Sequence, residues 1–140
     1  MNRERFSFIA HSELAICNPI GSEKTDRVIA MLGLRPCDRV VDVGSGKGEW
    51  AIRIIEKYGC SVAAVEPAVL FATESMKRAV SRKVGGRFEL ESCAAAEFFA
   101  REDLRSFDAA LCIGALHAFG DLNATLRALR ANVSPGGIAV

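Results

Sequence analysis

The chain has 140 residues, half of them hydrophobic and a quarter charged, with 18 basic residues against 17 acidic and a net charge of +1. This is the usage of a single globular domain that buries roughly 68–70% of its unfolded surface, and it excludes disordered and fibrous classes. The even charge balance argues against a nucleic-acid or membrane-surface binder.

The N-terminus, MNRERFSFIAHSE, carries early charge of both signs and no continuous apolar run, so it does not read as a signal peptide. In residues 1–21, Phe6, Phe8, Ile9, Leu14 and Ile16 read as packing residues. The first predicted helix begins near Ser22, an N-cap residue type, and places Thr25, Val28, Ile29 and Leu32 on one face. Gly33 and Pro36 end it. RVVDV (39–43) is a β-branched run that fits a strand covered on both faces. GSGKG (44–48) breaks it, and Trp50, Ala51, Ile54, Ile55 and Tyr58 then recur at helical spacing up to Gly59. Trp50 reads as a core residue of that stripe and Lys47 as a solvated helix-start residue.

SVAAVE (61–66) is the second predicted strand, and Pro67 suits a first helical turn. Val69, Ala72, Thr73, Met76, Ala79 and Val80 mark the next helix, with Arg82 and Lys83 at its negative end. RFELE (87–91) alternates like a third strand, and a short helix follows around Ala95 to Arg101. DAALCIG (108–114) reads as a fourth strand, and Leu122, Leu126, Leu129 and Val133 as a last helix ended by Ser134-Pro135-Gly136-Gly137. IAV (138–140) then begins a fifth strand. The most apolar stretch, Ala109 to Phe119, falls short of the ~18 residues of a membrane span. The five cysteines, at 17, 37, 60, 93 and 112, form no CxxC pair and read as reduced, mostly buried thiols of a cytoplasmic protein, with no metal or disulfide role.

Strands alternating with helices imply an α/β fold: a parallel sheet with right-handed crossovers and helices on both faces. A ligand then lies beyond the carboxyl ends of the strands, at Asp42–Gly48, Glu66–Ala68, Ser92–Ala95 and Ile113–Gly120. Three readings of the glycine loop compete. A phosphate-binding GxxxxGK[ST] loop fails, because Val41 and Gly48 stand where it needs glycine and a hydroxyl residue. A dinucleotide GxGxxG fits Gly44 and Gly46 but puts Glu49 at its third glycine, where it would repel a pyrophosphate. The third takes DVGSGKG as written, an acid followed by glycines at alternate positions, with a second acid, Glu66, ending the next strand.

That pattern resembles the nucleoside-binding motif of class I S-adenosylmethionine-dependent methyltransferases. The resemblance runs from about Ser22 to the last residue and includes VVDVGSGKGEW, AAVEPA, FDAALCIGALHAFGD and LRALRANVSPGG in the family's order. It implies a Rossmann-like core over residues 22–140, preceded by a lid or packing segment over 1–21, with strand order 3-2-1-4-5. The family's usual sheet has two further strands, which this chain lacks. The expectation is either a truncated form or a minimal one that pairs its open edge with another copy.

S-adenosylmethionine carries an ammonium, a carboxylate, a ribose diol and a sulfonium, and no phosphate to clamp. The resemblance places Asp42 near the ammonium, Gly44, Ser45, Gly46 and Gly48 along the methionine and ribose, and Glu66 on the ribose hydroxyls. Pro67, Ala94 and Ala95 fall near the adenine, and Ile113 and Gly114 at the end of strand four also border the cofactor. The plainer alternatives are a turn acid for Asp42 and a helix N-terminal acid for Glu66. One departure stands out: Ala94 occupies the position of the family's adenine-binding acid, which leaves adenine to backbone groups or Ser92.

Methyl transfer needs alignment and exclusion of water, and a base only where the acceptor must lose a proton. His117 is the titratable candidate near the end of strand four, as a base or acceptor-orienting group, or else as a structural or cofactor-lining residue. The Asn/Asp-Pro-Pro-aromatic motif of amino-nitrogen methylation is missing, so a small-molecule acceptor is the leading expectation. The alternatives are a non-catalytic cofactor-binding domain and a dinucleotide module. No metal is expected. In related enzymes residues before the core close over the site, which makes His11, Glu13, Asn18 and Pro19 further residues of interest.

Overall fold

Along the chain the elements are α1 (Arg3–Ala10), α2 (Ser22–Met31), β1 (Arg39–Val43), α3 (Glu49–Tyr58), β2 (Ser61–Val65), α4 (Val69–Ser81), β3 (Phe88–Glu91), α5 (Ala95–Phe99), β4 (Phe107–Leu111), α6 (Leu122–Asn132) and β5 (Val133–Ala139). The computed structural model describes residues 3–101 and 106–140; the first two residues of the N-terminal segment lie outside it. Its sheet is parallel throughout, in the order β3-β2-β1-β4-β5. This is the Rossmann-like arrangement expected from the alternation of elements.

The alternation of side chains across the sheet explains the two layers of helix. Val40, Val62, Ala64, Ala109 and Leu111 face one side, where they pack with Ile29 and Leu32 and with Trp50, Ile54 and Ile55 of α3. Val41, Val43, Ala63, Val65 and Ala110 face the other, against Ala95 and Phe98 of α5 and Leu129 of α6. Both faces are covered, so the central strands are continuous apolar runs with no polar alternation. β1 pairs with β2 on one side and β4 on the other, which makes its carboxyl end the point where the strand order reverses.

Several elements differ from their sequence prediction. Residues 3–10 form a helix, and it packs by one face only. Phe8 meets Phe71 edge-on with ring centroids 5.2 Å apart, and Ile16 reaches the core beyond the helix, while Phe6, Ile9 and Leu14 remain exposed. Gly21, not Ser22, caps α2, and the Ser22 hydroxyl instead accepts a hydrogen bond from Arg53 at 2.7 Å. Pro67 precedes α4 rather than sitting in its first turn, and the buried face of α4 is Phe71, Ala72, Ser75 and Ala79, with Val69 and Val80 exposed.

β5 begins at Val133, so Ser134–Gly137 is part of a strand and not a helix stop. The register shifts between Phe107 and Ala109, and Gly136 takes a φ of 82°, the two marks of a bulge that absorbs the Ser-Pro-Gly-Gly run. A Cβ on Gly137 would lie 2.9 Å from the Asp108 carbonyl oxygen, so glycine is required there. β4 itself ends at Leu111, three residues before the end of the apolar stretch that predicted it.

A charged cluster ties α3 to α4. The buried Glu49 carboxylate accepts hydrogen bonds from Arg53 at 2.6 Å and Arg82 at 3.0 Å, and from Arg78. Arg82 also pairs with Glu56. A carboxylate out of water is tolerable only with such partners, and its loss leaves three half-wet guanidinium groups facing one another. Glu49→Gln should therefore lower the unfolding free energy by about 3 kcal/mol. Urea denaturation of the two proteins checks this.

Candidate functional site

At the end of β1 the backbone enters the left-handed region three times, at Gly44, Gly46 and Gly48, with φ of 68°, 55° and 74°. L side chains rarely adopt this conformation. A Cβ on Gly44 would come 2.3 Å from the Ala115 Cβ, and one on Gly48 3.0 Å from both the Phe88 ring and the Ser75 Cβ. At Gly46 the nearest atom is the Cys17 sulfur, 3.7 Å away. Sequence reasoning attributed all three glycines to ligand approach. At Gly44 and Gly48 the protein's own packing already excludes a side chain, and Gly48 is not among the residues that line the cavity described below.

The loop is fastened to the end of β2. The Val65 carbonyl accepts the N–H groups of Gly44 and Ser45 at 2.8 and 3.1 Å. The Glu66 carboxylate accepts the Gly46 N–H on one oxygen and the Ala68 N–H on the other, both at 2.9 Å. Glu66 is thus buried and rigidly oriented, and each of its oxygens keeps a further lone pair.

Asp42 lies just below the loop and is 2% exposed. Its Oδ2 has no hydrogen-bond partner. Burial, and then the nearby Glu66 carboxylate, push its acid up from the usual 3.8 to about 7, against the opposing effect of the Ala51 backbone N–H. Two more buried polar atoms, the Ser45 Oγ and the Trp50 Nε1, are unpartnered among the described residues and belong to residues that line the same cavity as Asp42.

These groups surround one cavity of about 890 Å3. Of the residues predicted from sequence, Asp42, Gly44, Ser45, Gly46, Glu66, Pro67, Ala94, Ala95, Ile113, Gly114 and His117 line it together. His117 sits on the exposed single turn Leu116–Ala118 that follows β4. Ser92 is exposed and does not line the cavity, whereas Ala94 and Ala95 do.

The opposite wall comes from the N-terminal segment, through Ser7, His11, Ala15, Ile16, Cys17 and Asn18. Lys47, expected in solvent, is 6% exposed and holds this wall in place. Its Nζ donates to the carbonyl oxygens of His11, Ser12 and Leu14 at 2.5, 2.9 and 3.0 Å. Three acceptors use all three ammonium donors, which is what allows the charge to leave water. Arg78 donates to the Ala15 carbonyl at 3.0 Å, and the Asn18 amide to the Ile113 carbonyl at 3.3 Å. At the far end the Glu4 carboxylate accepts the Leu70 N–H in the first turn of α4. His11 donates through Nδ1 to the Ser7 carbonyl at 2.8 Å, since a carbonyl can only accept.

Sequence reasoning missed the Lys47 contacts because their acceptors are backbone oxygens, which carry no residue signature. It also read Trp50 as core alone. The one available signal was an N–H group on an otherwise aliphatic helix face, eight positions after an acid at a strand end.

The model of the methyltransferase domain matches residues 2–140. The chain belongs to this methyltransferase domain family. Among curated relatives, the uncharacterized protein YjhP of Escherichia coli K12 is 30% identical over 138 residues, which cover 99% of this methyltransferase domain and 54% of YjhP. The 27-O-demethylrifamycin SV methyltransferase of Amycolatopsis mediterranei S699 is 31% identical over 113 residues, 81% of this chain and 41% of that protein. The S-adenosylmethionine-dependent methyltransferase of Thiobacillus denitrificans, solved in complex with S-adenosyl-L-homocysteine, superposes with a TM-score of 0.88 at 30% identity, over 99% of this chain and 55% of that one. The chain therefore spans about half the length of the relatives it matches, and the class I methyltransferase fold is shared over that span.

Replacing Lys47 by Met should free residues 11–18 without unfolding the sheet. Limited proteolysis with chymotrypsin is expected to cut after Leu14 earlier than in the parent protein, and the urea midpoint should fall by the equivalent of about 1–3 kcal/mol.

Proposed function

We propose that this chain binds S-adenosylmethionine in the cavity beyond the sheet and carries the cofactor half of a methyltransferase acting on a small-molecule acceptor. The observation that carries the reading is the donor set of the cavity. Asp42 and Glu66 line it beside the loop while Glu49 is neutralised by its arginines, and Lys47, the cation inside the glycine loop, has spent its donors on carbonyl groups, which leaves Arg3 on the N-terminal wall as the arginine of the lining. The two carboxylates beside the loop suit a ligand with a cationic end and a diol, and they disfavour a pyrophosphate laid along the loop. The orphaned Asp42 Oδ2 fits an ammonium, and the remaining lone pairs of Glu66 fit two vicinal hydroxyls.

In this reading Asp42 holds the amino-acid end, directly or through water, and Glu66 the ribose. Gly44, Ser45 and Gly46 carry the backbone past the cofactor, while Pro67, Ala94 and Ala95 border the adenine and Ile113 and Gly114 close the strand-four side. Gly48 acts by shaping the loop. When bound, the cofactor supplies a methyl carbon that its sulfonium opens to in-line displacement. The chain's own contribution is alignment and exclusion of water, for which the segment over 11–18 forms the covering wall. His117 borders the same cavity and is the candidate base where the acceptor must lose a proton. The rifamycin-modifying relative supports a small-molecule acceptor, and among the described residues no helix is long and apolar enough to cross a membrane.

Two measurements test the reading. Glu66→Gln keeps the side-chain length but removes the charge that strengthens hydrogen bonds to the ribose, together with one of the two acceptors for the Gly46 and Ala68 N–H groups. Isothermal titration should show S-adenosylhomocysteine binding weakened by about 10- to 100-fold, the size of a charge-assisted hydrogen bond or two. Unchanged affinity, or tight NAD binding with no response to S-adenosylhomocysteine, would overturn it.

The second measurement follows from Asp42. Its raised value means that the free protein favours the neutral acid, a stability contribution fully present below about 3.8 and lost as pH rises through about 7. An ammonium ligand favours the ionised form instead. Affinity for S-adenosylhomocysteine should thus rise roughly tenfold or more between pH 5.5 and 7.5, with protons released on binding. 5′-Methylthioadenosine, which lacks the amino-acid end, should show a flat profile. Titrations in two buffers of different ionisation enthalpy read the proton count directly.

A further inference from the structure

Trp50 is the second residue of α3 and the only tryptophan of the chain. It is 5% exposed, packs within the core layer of α2 and α3, and yet lines the cavity. Its Nε1–H is buried with no acceptor. An indole N–H can only donate, and a buried donor left unpaired is costly, so the group calls for an acceptor that the described residues do not supply. A second orphan on the cavity lining has the opposite character, because an ionised Asp42 Oδ2 can only accept. Both residues line the same cavity, Asp42 near the end of β1 and Trp50 in the first turn of α3, on either side of the glycine loop.

An unpaired donor and an unpaired acceptor lining one cavity are complementary to a zwitterion. An α-amino acid offers both partners, an ammonium for Asp42 and a carboxylate for the indole. Adenine and the ribose hydroxyls also place donors beside acceptors, but only the amino-acid end offers both as full charges, and in the proposed pose the ribose is assigned to Glu66 and the adenine to Pro67, Ala94 and Ala95. We propose that the Trp50 Nε1–H is a recognition donor for the carboxylate at the amino-acid end of the cofactor, paired across the zwitterion with Asp42. This rests on the cofactor reading above and adds to it a residue that makes the site selective for ligands with an intact amino-acid end. Ser45 Oγ, unpartnered at the same place, can accept or donate and is free to share either group.

The test needs no methyl acceptor. The single tryptophan gives one indole N–H resonance in a 15N-labelled sample, and S-adenosylhomocysteine is expected to move it downfield on saturation while 5′-methylthioadenosine leaves it nearly in place. Trp50→Phe keeps an aromatic ring and removes the donor. By isothermal titration it should weaken S-adenosylhomocysteine about tenfold or more, as for a hydrogen bond to a charged group, and leave 5′-methylthioadenosine within about twofold of the parent. Equal losses for both ligands, or an indole resonance that responds alike to both, would overturn the assignment of Trp50 and leave the cofactor reading standing. No binding of S-adenosylhomocysteine by the parent protein would remove both. The resonance experiment uses the unaltered chain, so the assignment stays open to refutation even where the variant folds poorly.

Discussion

Between Val43 and Glu49 the backbone must turn from a buried strand into a buried helix, and it does so through three left-handed glycines. The carboxyl side of the sheet is arranged around that path. Gly44 lets the loop after β4 approach so closely that Ala115 fills the space of a missing side chain, and Gly48 does the same for Phe88 of β3 and Ser75 of α4. The turn thus packs the loop after β4 and the first side chain of β3 against the end of β1, and Glu66 fastens it to the end of β2 through the Gly46 and Ala68 amides. A ligand cavity at the switch point follows from this packing as much as from the strand order.

Three buried carboxylates near the loop illustrate three different solutions to the same electrostatic problem. Glu49 is neutralised by arginines and serves to join α3 to α4. Glu66 is satisfied by backbone amides while keeping acceptor capacity. Asp42 has an unpartnered oxygen and moves its acid toward neutrality. A fold that sought stability alone would treat all three like Glu49. The incomplete pairing of Asp42 and the spare capacity of Glu66 lie on the wall of one cavity, and they are the features on which the proposed recognition of the cofactor rests.

The central part of this arrangement was legible in the sequence because it rests on residue identity. RVVDV and SVAAV are strands within a residue of their predicted bounds, since a run covered on both faces must be apolar throughout. The left-handed turns demand glycine, and an acid at a strand end in an α/β chain points toward a ligand. Less legible were contacts made to the backbone or inside irregular strands. Lys47 reads as solvated until its three carbonyl acceptors are seen. Ser-Pro-Gly-Gly is a helix stop by composition and a bulged strand by pairing. The helix over 3–10 carries too little buried surface to leave a periodic trace.

The wall over residues 11–15 is tied to the core by hydrogen bonds to its carbonyl groups, with the His11 ring edge-on to Phe71 as a side-chain contact beside them. Every amino acid brings the same oxygen, so Lys47 and Arg78 grip this stretch whatever its composition. Anchorage and surface chemistry are therefore separable here: the residues presented toward the cavity can change over evolutionary time while the latch that holds them stays the same. Such a division would let one cofactor scaffold acquire new partners for its ligand by rewriting a few positions of a tethered peptide.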